Sequence, residues 1–208
     1  MSLTRKIQAV QTIRTVLSLN DVSDRLTQLK MHHLDSYKHS IRSAIKGVEI
    51  GLELGYNSEE LKILAACGQL HDMGKIRVPE YILDKQSELT NQEKQIIETH
   101  PRYSLIELSK LEIPIVRECS VQHHEWQNNS YPRKTKVDRR GPNRDKDSDR
   151  RSDNKIIIDF SQIIAVADHF DALSKKRSYR EKLPIEIVRK IMYQQMTVNP
   201  EYLNIALN

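Results

Sequence analysis

His71 and Asp72 are adjacent in a chain of 208 residues, and Lys75 follows four residues after His71. Imidazole and carboxylate are ligand types for Fe, Mn or Zn. Successive residues point in different directions, so the ring can hold one ion while the carboxylate bridges to a second. Two ions about 3.5–4 Å apart suit in-line attack on phosphorus. His39 lies 32 residues before His71, His100 lies 29 after it, His123-His124 form a second adjacent pair, and Asp168 sits in IIAVADHFDAL. A lone histidine on an apolar helix is usually a core residue with satisfied nitrogens, and His32, His33 and His169 are read that way. Five histidines and two aspartates, all near the ends of apolar segments, would be a costly way to build a core. Together they read as a metal centre.

The elements that must position these residues are helical. Ile7, Val10, Ile13 and Leu17 form one stripe of a first helix, and Leu26, Leu29 and Leu34 mark a second, capped by Asn20 or Asp21. Ile41, Ala44, Ile45, Val48 and Leu52 keep helical spacing from Lys38 to Leu54, where Gly55 supplies a stop. Ser58-Glu-Glu opens a buried helix through Leu70 into HDMGK, and Pro79 marks a turn after it. Thr90 with Glu93 has capping-box spacing and opens a helix up to His100. Further helices are expected over Ile115–His124, Ile163–Leu173, Pro184–Met192 and Pro200–Leu207. No strand is evident, and the expected fold class is all-α.

Length points to one domain, or one domain plus appendages, divided here into an N-terminal helical extension (1–30) and the main domain (31–208). No apolar run reaches bilayer length, and the amino-terminal residues do not read as a signal peptide. Cys67 and Cys119 are far apart and lack CxxC spacing, so reduced thiols in a cytoplasmic protein are the simpler reading. Neither GxGxxG nor GxxxxGK[ST] occurs, so dinucleotide-fold and P-loop sites have no support. Residues 133–155 are expected to form a disordered or mobile loop, because Val137 is their only aliphatic side chain. They hold 10 Lys/Arg against 5 Asp, which leaves the remainder with 23 basic and 23 acidic residues. The net charge of +5 therefore belongs to one segment, and general nucleic-acid binding is not expected.

The stretches KHSIR, LHDMGKIRVPEYIL, LTNQEKQIIETHP, VQHHE, SYP, IIAVADHFDALSKKRSYR and VNPEYL, in this order and spacing, resemble the HD-domain phosphohydrolases, specifically the HD-GYP subgroup. The resemblance runs from about Asp35 to Leu203. It implies a helical bundle around two or three divalent metal ions, Fe or Mn, and hydrolysis of a cyclic dinucleotide, typically cyclic di-GMP. It implies His39, His71, Asp72, His100, His123, His124 and Asp168 as metal ligands, with Asp72 bridging. Asp35 occupies the position where trinuclear members carry a glutamate ligand. An exposed helix carboxylate is the other reading of Asp35. Lys75 matches the lysine of HDxGK, which would offset phosphoryl charge and assist the leaving oxygen. Asp171, Arg177 and Arg180 resemble the subgroup's second acidic residue and its phosphate- and guanine-contacting basic pair, Tyr131 resembles the tyrosine of its substrate loop, and the resemblance implies all four, with Lys75, as substrate-binding residues.

That loop departs from the pattern. The chain reads HHEWQNNSYP, with Ser130 before Tyr131 and the earlier glycine also gone. Asn128 and Asn129 tolerate the left-handed conformations that glycine would otherwise supply. The change bears on substrate choice, not on the ligands. Three functions follow: a cyclic-dinucleotide phosphodiesterase, a phosphohydrolase acting on another nucleotide or phosphate ester, and a degenerate module that binds a signalling protein. Segment 133–155 either gates the site or attracts an anionic ligand or partner, or is a tolerated surface insertion.

Overall fold

The computed structural model describes residues 3–132, 148–175 and 182–208, with side chains of the middle stretch given from Lys155. The described residues form the helices α1 (Leu3–Leu17), α2 (Asn20–His32), α3 (Leu34–Glu53), α4 (Ser58–Leu70), α5 (Glu80–Leu83), α6 (Asn91–Ile97), α7 (His100–Glu107), α8 (Pro114–Gln122), α9 (Ser148–Ser174), α10 (Ile185–Gln195) and α11 (Pro200–Leu207). A 3-10 helix spans Met73–Arg77. The only pairing of extended backbone among them is an isolated bridge between Gln127 and Met196. The all-α expectation holds.

Helices α3, α4 and α9 form the centre. Ile50, Leu64, Leu70, Ile163 and Ile164 are fully buried between them, and α1 and α2 add Ile13, Val16, Leu26 and Leu29 to the same apolar cluster. Gly68 brings α4 against α3 at backbone distance, since a Cβ there would lie 2.5 Å from Ala44 Cα. Cys67 and Cys119 are free and buried.

Several boundaries differ from expectation for identifiable reasons. Helix α3 begins at Leu34 rather than Lys38, because the His33 ring accepts from Ser36 N–H at 3.2 Å and caps it. His33 is therefore a helix cap rather than a core histidine. Helix α2 starts without the side-chain cap expected from Asn20 or Asp21; its N-cap is Leu19. The helix expected to run to His100 stops at Ile97, and a second helix begins at His100. Pro101 explains the break, since proline lacks the N–H that a continuing helix needs but fits a first turn. The expected Thr90–Glu93 capping box is present.

Helix α9 reaches back to Ser148, inside the segment expected to lack structure. Extending a helix already anchored by its buried apolar half costs little per residue. The rest of that segment, and Arg177 and Arg180, lie outside the described residues. The loop Trp126–Pro132 does not use left-handed asparagines; no non-glycine residue among those described has a positive φ. It is pinned instead to the end of α10, by Asn128 N–H to Gln195 O at 2.8 Å and Asn128 Nδ2 to Gln194 O at 2.7 Å.

The turn after α4 is locked to α7. Gly74 N–H donates to Ser104 Oγ at 2.8 Å, and Ser104 Oγ donates to His71 O at 3.2 Å. A Cβ at Gly74 would sit 2.0 Å from His100 O. Gly74→Ala is therefore expected to destabilise the fold by about 1–3 kcal/mol. Chemical denaturation measures this, and an unchanged midpoint would contradict the contact.

Candidate metal centre

Seven of the predicted residues meet in one place. His71 caps the C-terminus of α4 and Asp72 follows it; His100 opens α7; His123 and His124 follow α8; His39 lies in the second turn of α3; and Asp168 projects from α9. All but His124, which is partly exposed, are buried. Two groups have ligand atoms close enough for one ion each: Asp72 with His100, His123 and His124, and Asp72 with His39 and His71.

Asp72 belongs to both groups, with one oxygen turned to each. Oδ1 lies 3.1 Å from His100 Nε2 and 4.0 Å from His123 Nε2, while Oδ2 lies 3.4 Å from His71 Nε2 and 3.7 Å from His39 Nε2. This is the placement a bridging carboxylate requires.

Backbone carbonyls set the ring tautomers. Nδ1 of His71 faces Gly68 O at 2.8 Å, that of His100 faces Ile97 O at 2.7 Å, and that of His123 faces Ser120 O at 2.8 Å. Each acceptor is three residues back, where a helical turn leaves a free carbonyl. A carbonyl can only accept, so Nδ1 carries the proton, and Nε2 of the neutral ring presents a lone pair to the site. The Nε2 atoms of His100 and His123 then face each other at 3.4 Å. His71 Nε2 and Asp72 Oδ1 are buried and make no hydrogen bond. Lone pairs converging in a dry interior repel unless an electrophile sits among them. A divalent cation fits this donor set, and imidazole with carboxylate suits Fe, Mn and Zn.

Electrostatics agree. Burial keeps His71, and more strongly His123 and His124, below the ordinary histidine range, so their rings stay neutral. Burial works against the charge on Asp72, but the Lys75 ammonium beside it holds its carboxyl well below the usual carboxylate range. Burial likewise opposes charge on Asp168, and His39 overrides it. His39 lies between two carboxylates, with Nε2 2.8 Å from Asp168 Oδ1 and Nδ1 2.8 Å from Asp171 Oδ2. Burial lowers its basicity, yet those hydrogen bonds raise it above the ordinary value.

The remaining predicted residues fall in different places. Lys75 Nζ reaches Asp72 Oδ2 at 2.5 Å from the 3-10 turn. Tyr131 stacks on the His124 ring, with centroids 4.3 Å apart. Asp35 lies outside both groups; its side chain is 81% exposed at the rim, 3.7 Å from Lys38.

Asp171 corrects an expectation. It is buried behind His39, and Arg42 donates to it twice, at 2.7 and 2.8 Å. A buried, doubly paired anion holds a ring and a guanidinium in place; it does not offer itself to an anionic substrate. Arg42 was not singled out from the sequence, although its position three residues after His39 puts both on one helix face. His32 has Nε2 2.9 Å from Val78 O, and His169 Nε2 is 3.2 Å from Gln195 Oε1. Both are half-buried with hydrogen-bonded nitrogens, outside the two groups.

The centre opens into a cavity of about 1150 Å³ walled by α3, the α5–α6 region, the Tyr131 loop and the end of α9. That space takes a ligand of dinucleotide size.

Comparison with known proteins agrees with this geometry. The HD domain family matches residues 36–173. The cyclic di-GMP phosphodiesterase response regulator RpfG of Xanthomonas campestris is 29% identical over 195 residues, which are 88% of this chain and 47% of that protein. The 3′3′-cGAMP-specific phosphodiesterase 1 of Vibrio cholerae is 32% identical over 165 residues, 78% of this chain and 34% of the other. The chain thus spans less than half the length of these curated relatives. Among solved structures, the HD domain of the Listeria monocytogenes phosphodiesterase PgpH superposes with a TM-score of 0.59 at 17% identity, over 88% of this chain and 93% of the other. The same domain is also solved in complex with cyclic-di-AMP. At that identity the likeness is one of fold.

Asp72 alone serves both groups, so the two substitutions Asp72→Ala and His39→Ala should differ. Asp72→Ala is expected to strip divalent metal from the purified protein almost completely, while His39→Ala retains part of it. Elemental analysis of both variants checks this, and equal retention would count against a shared carboxylate.

Proposed function

The chain belongs to the HD-domain family, with motifs of the HD-GYP subgroup, and on that footing we propose that it is a metal-dependent phosphodiesterase that hydrolyses a cyclic dinucleotide. The leading substrate is cyclic di-GMP, cut to the linear dinucleotide and then to GMP. The observation that carries this reading is the shared Asp72, with one oxygen toward each histidine group. Such a pair of adjoining sites suits displacement at phosphorus.

The reading assigns the roles as follows. His39, His71, His100, His123, His124, Asp72 and Asp168 hold two divalent ions, Fe or Mn. Asp35, one helical turn before His39 and at the cavity rim, is available to a third. Bound metal supplies Lewis-acid polarisation of the phosphoryl oxygens and a water of lowered pKa. Lys75, held by Asp72 at the cavity wall, neutralises developing charge and donates a proton toward the leaving ribose oxygen. Tyr131, lining the cavity beside His124, meets the substrate. Arg177 and Arg180 join it as phosphate contacts.

Substrate choice has a second reading. The glycines of the substrate loop are replaced, and relatives of comparable similarity are named for 3′3′-cGAMP. We place the protein in the cytoplasm, with the free thiols of Cys67 and Cys119 in support. Among the described residues no helix is long and apolar enough to cross a membrane. Control by a signalling partner fits a relative named as a response regulator that is about twice as long as its matched part.

The test is a panel of cyclic di-GMP, 3′3′-cGAMP and cyclic-di-AMP with the Mn- or Fe-loaded protein. Turnover of at least one is expected, falling by about 10³-fold or more in His71→Ala. Activity confined to other phosphate esters would move the chain to the wider phosphohydrolase class. Inactivity of metal-loaded protein on every substrate would leave only an interaction module.

A further inference from the structure

A cyclic dinucleotide carries two phosphodiesters, and the reaction cuts one of them at a time. The uncut diester keeps a full negative charge, and a negative charge drawn into a half-enclosed cavity is costly without a cationic partner. The rim offers it little welcome, since Asp35, Asp84 and Glu88 also line the cavity.

The described lining residues include five cations, Arg42, Lys75, Lys85, Lys94 and Lys175. Three are already engaged, Lys75 among them with the diester being cut in the phosphodiesterase reading. Arg42 is bound twice by Asp171, Lys75 by Asp72, and Lys85 by Glu93 at 2.6 Å. Lys94 on α6 and Lys175 just after α9 form no ion pair with any described residue, although both border the cavity that holds the metal groups.

The element carrying Lys94 is held in place independently of that lysine. Glu93, its neighbour in the chain, accepts from Thr90 N–H at 2.7 Å and from Lys85 Nζ at both carboxylate oxygens. The capping box and the Lys85 bridge therefore fix the first turn of α6, and neither uses the Lys94 charge. Lysine is well matched to such a contact, because a compact charge on a flexible four-carbon stem follows a phosphate without demanding one geometry.

We propose that, beside the phosphate contacts given to Arg177 and Arg180, Lys94 and Lys175 hold the phosphodiester that is not being cut, and so strengthen the preference for dinucleotides over single phosphate esters. The inference rests on the phosphodiesterase reading and goes beyond it by naming the contacts of the second phosphate.

The experiment uses the full chain loaded with Mn. Steady-state kinetics are measured on cyclic di-GMP and on bis(p-nitrophenyl) phosphate, a diester with a single phosphorus. Calorimetry compares the linear dinucleotide, which retains the uncut diester, with GMP, which does not. Lys94→Ala and Lys175→Ala are each expected to raise KM for cyclic di-GMP about tenfold, with kcat falling much less. Linear-dinucleotide binding should weaken to a similar degree and GMP binding far less, and Lys94→Arg should restore most of the loss. The salt dependence of KM should become shallower in the alanine variants, as a lost ionic contact requires. Equal losses on both substrates, equal losses for dinucleotide and GMP, or an unchanged KM would each overturn the assignment. If wild-type protein turns over bis(p-nitrophenyl) phosphate but no cyclic dinucleotide, the phosphodiesterase reading itself fails, and this inference fails with it.

Discussion

The arrangement turns on ring nitrogens that have no proton to give each other. His71, His100 and His123 have each spent the Nδ1 proton on a carbonyl of their own helix or turn, so their Nε2 lone pairs are aimed inward. Three lone pairs and a carboxylate, buried together, are unfavourable by themselves; leaving a buried polar atom unsatisfied costs on the order of 1–3 kcal/mol. The surrounding apolar core has to outweigh that cost, and metal binding turns the cost into affinity. A site poised in this way is preorganised, because the ligands need not rotate to receive the ion.

Much of the packing can be understood as the means of keeping those lone pairs converged. The α3–α4 approach at Gly68 brings His39 toward His71, whose rings meet edge to face at 5.5 Å. The Gly74–Ser104 contact draws α7 onto the turn that carries Asp72, and so sets His100 beside it. Larger side chains at either glycine would push apart elements whose separation sets a metal–ligand distance. Gly68 and Gly74 therefore bear on the site through packing, not through turn conformation.

Much of this was legible in the sequence. The seven candidate ligands were visible because histidine and aspartate stand out at the ends of apolar helical segments, and the fold class followed from 3.6-residue periodicity. What escaped had weak local signatures. The break before His100 depended on the meaning of Pro101, a stop for one helix and a start for the next. Arg42 lies on an ordinary amphipathic face, and only the tertiary approach of α9 reveals its partner Asp171. Asp171 itself was misread because a motif position tells which residue is kept near a site, not which way its carboxylate faces. The loop around Asn128 was judged by asparagine's backbone tolerance, whereas long-range hydrogen bonds to α10 hold it.

The hydrogen bonds that orient the histidines also divide the centre by how its order arises. His71, His100 and His123 are aimed by acceptors three residues away, so their orientation is a local property that appears as soon as each short segment takes shape. His39 is aimed by Asp171, 132 positions along the chain, and that carboxylate is itself held by Arg42. One half of the centre is thus written into single helical turns, while the other is conditional on α9 having docked. Assembly acquires a direction from this, and so does drift: the His39 half is the one that remote changes can detune while the His100–His123 half stays intact.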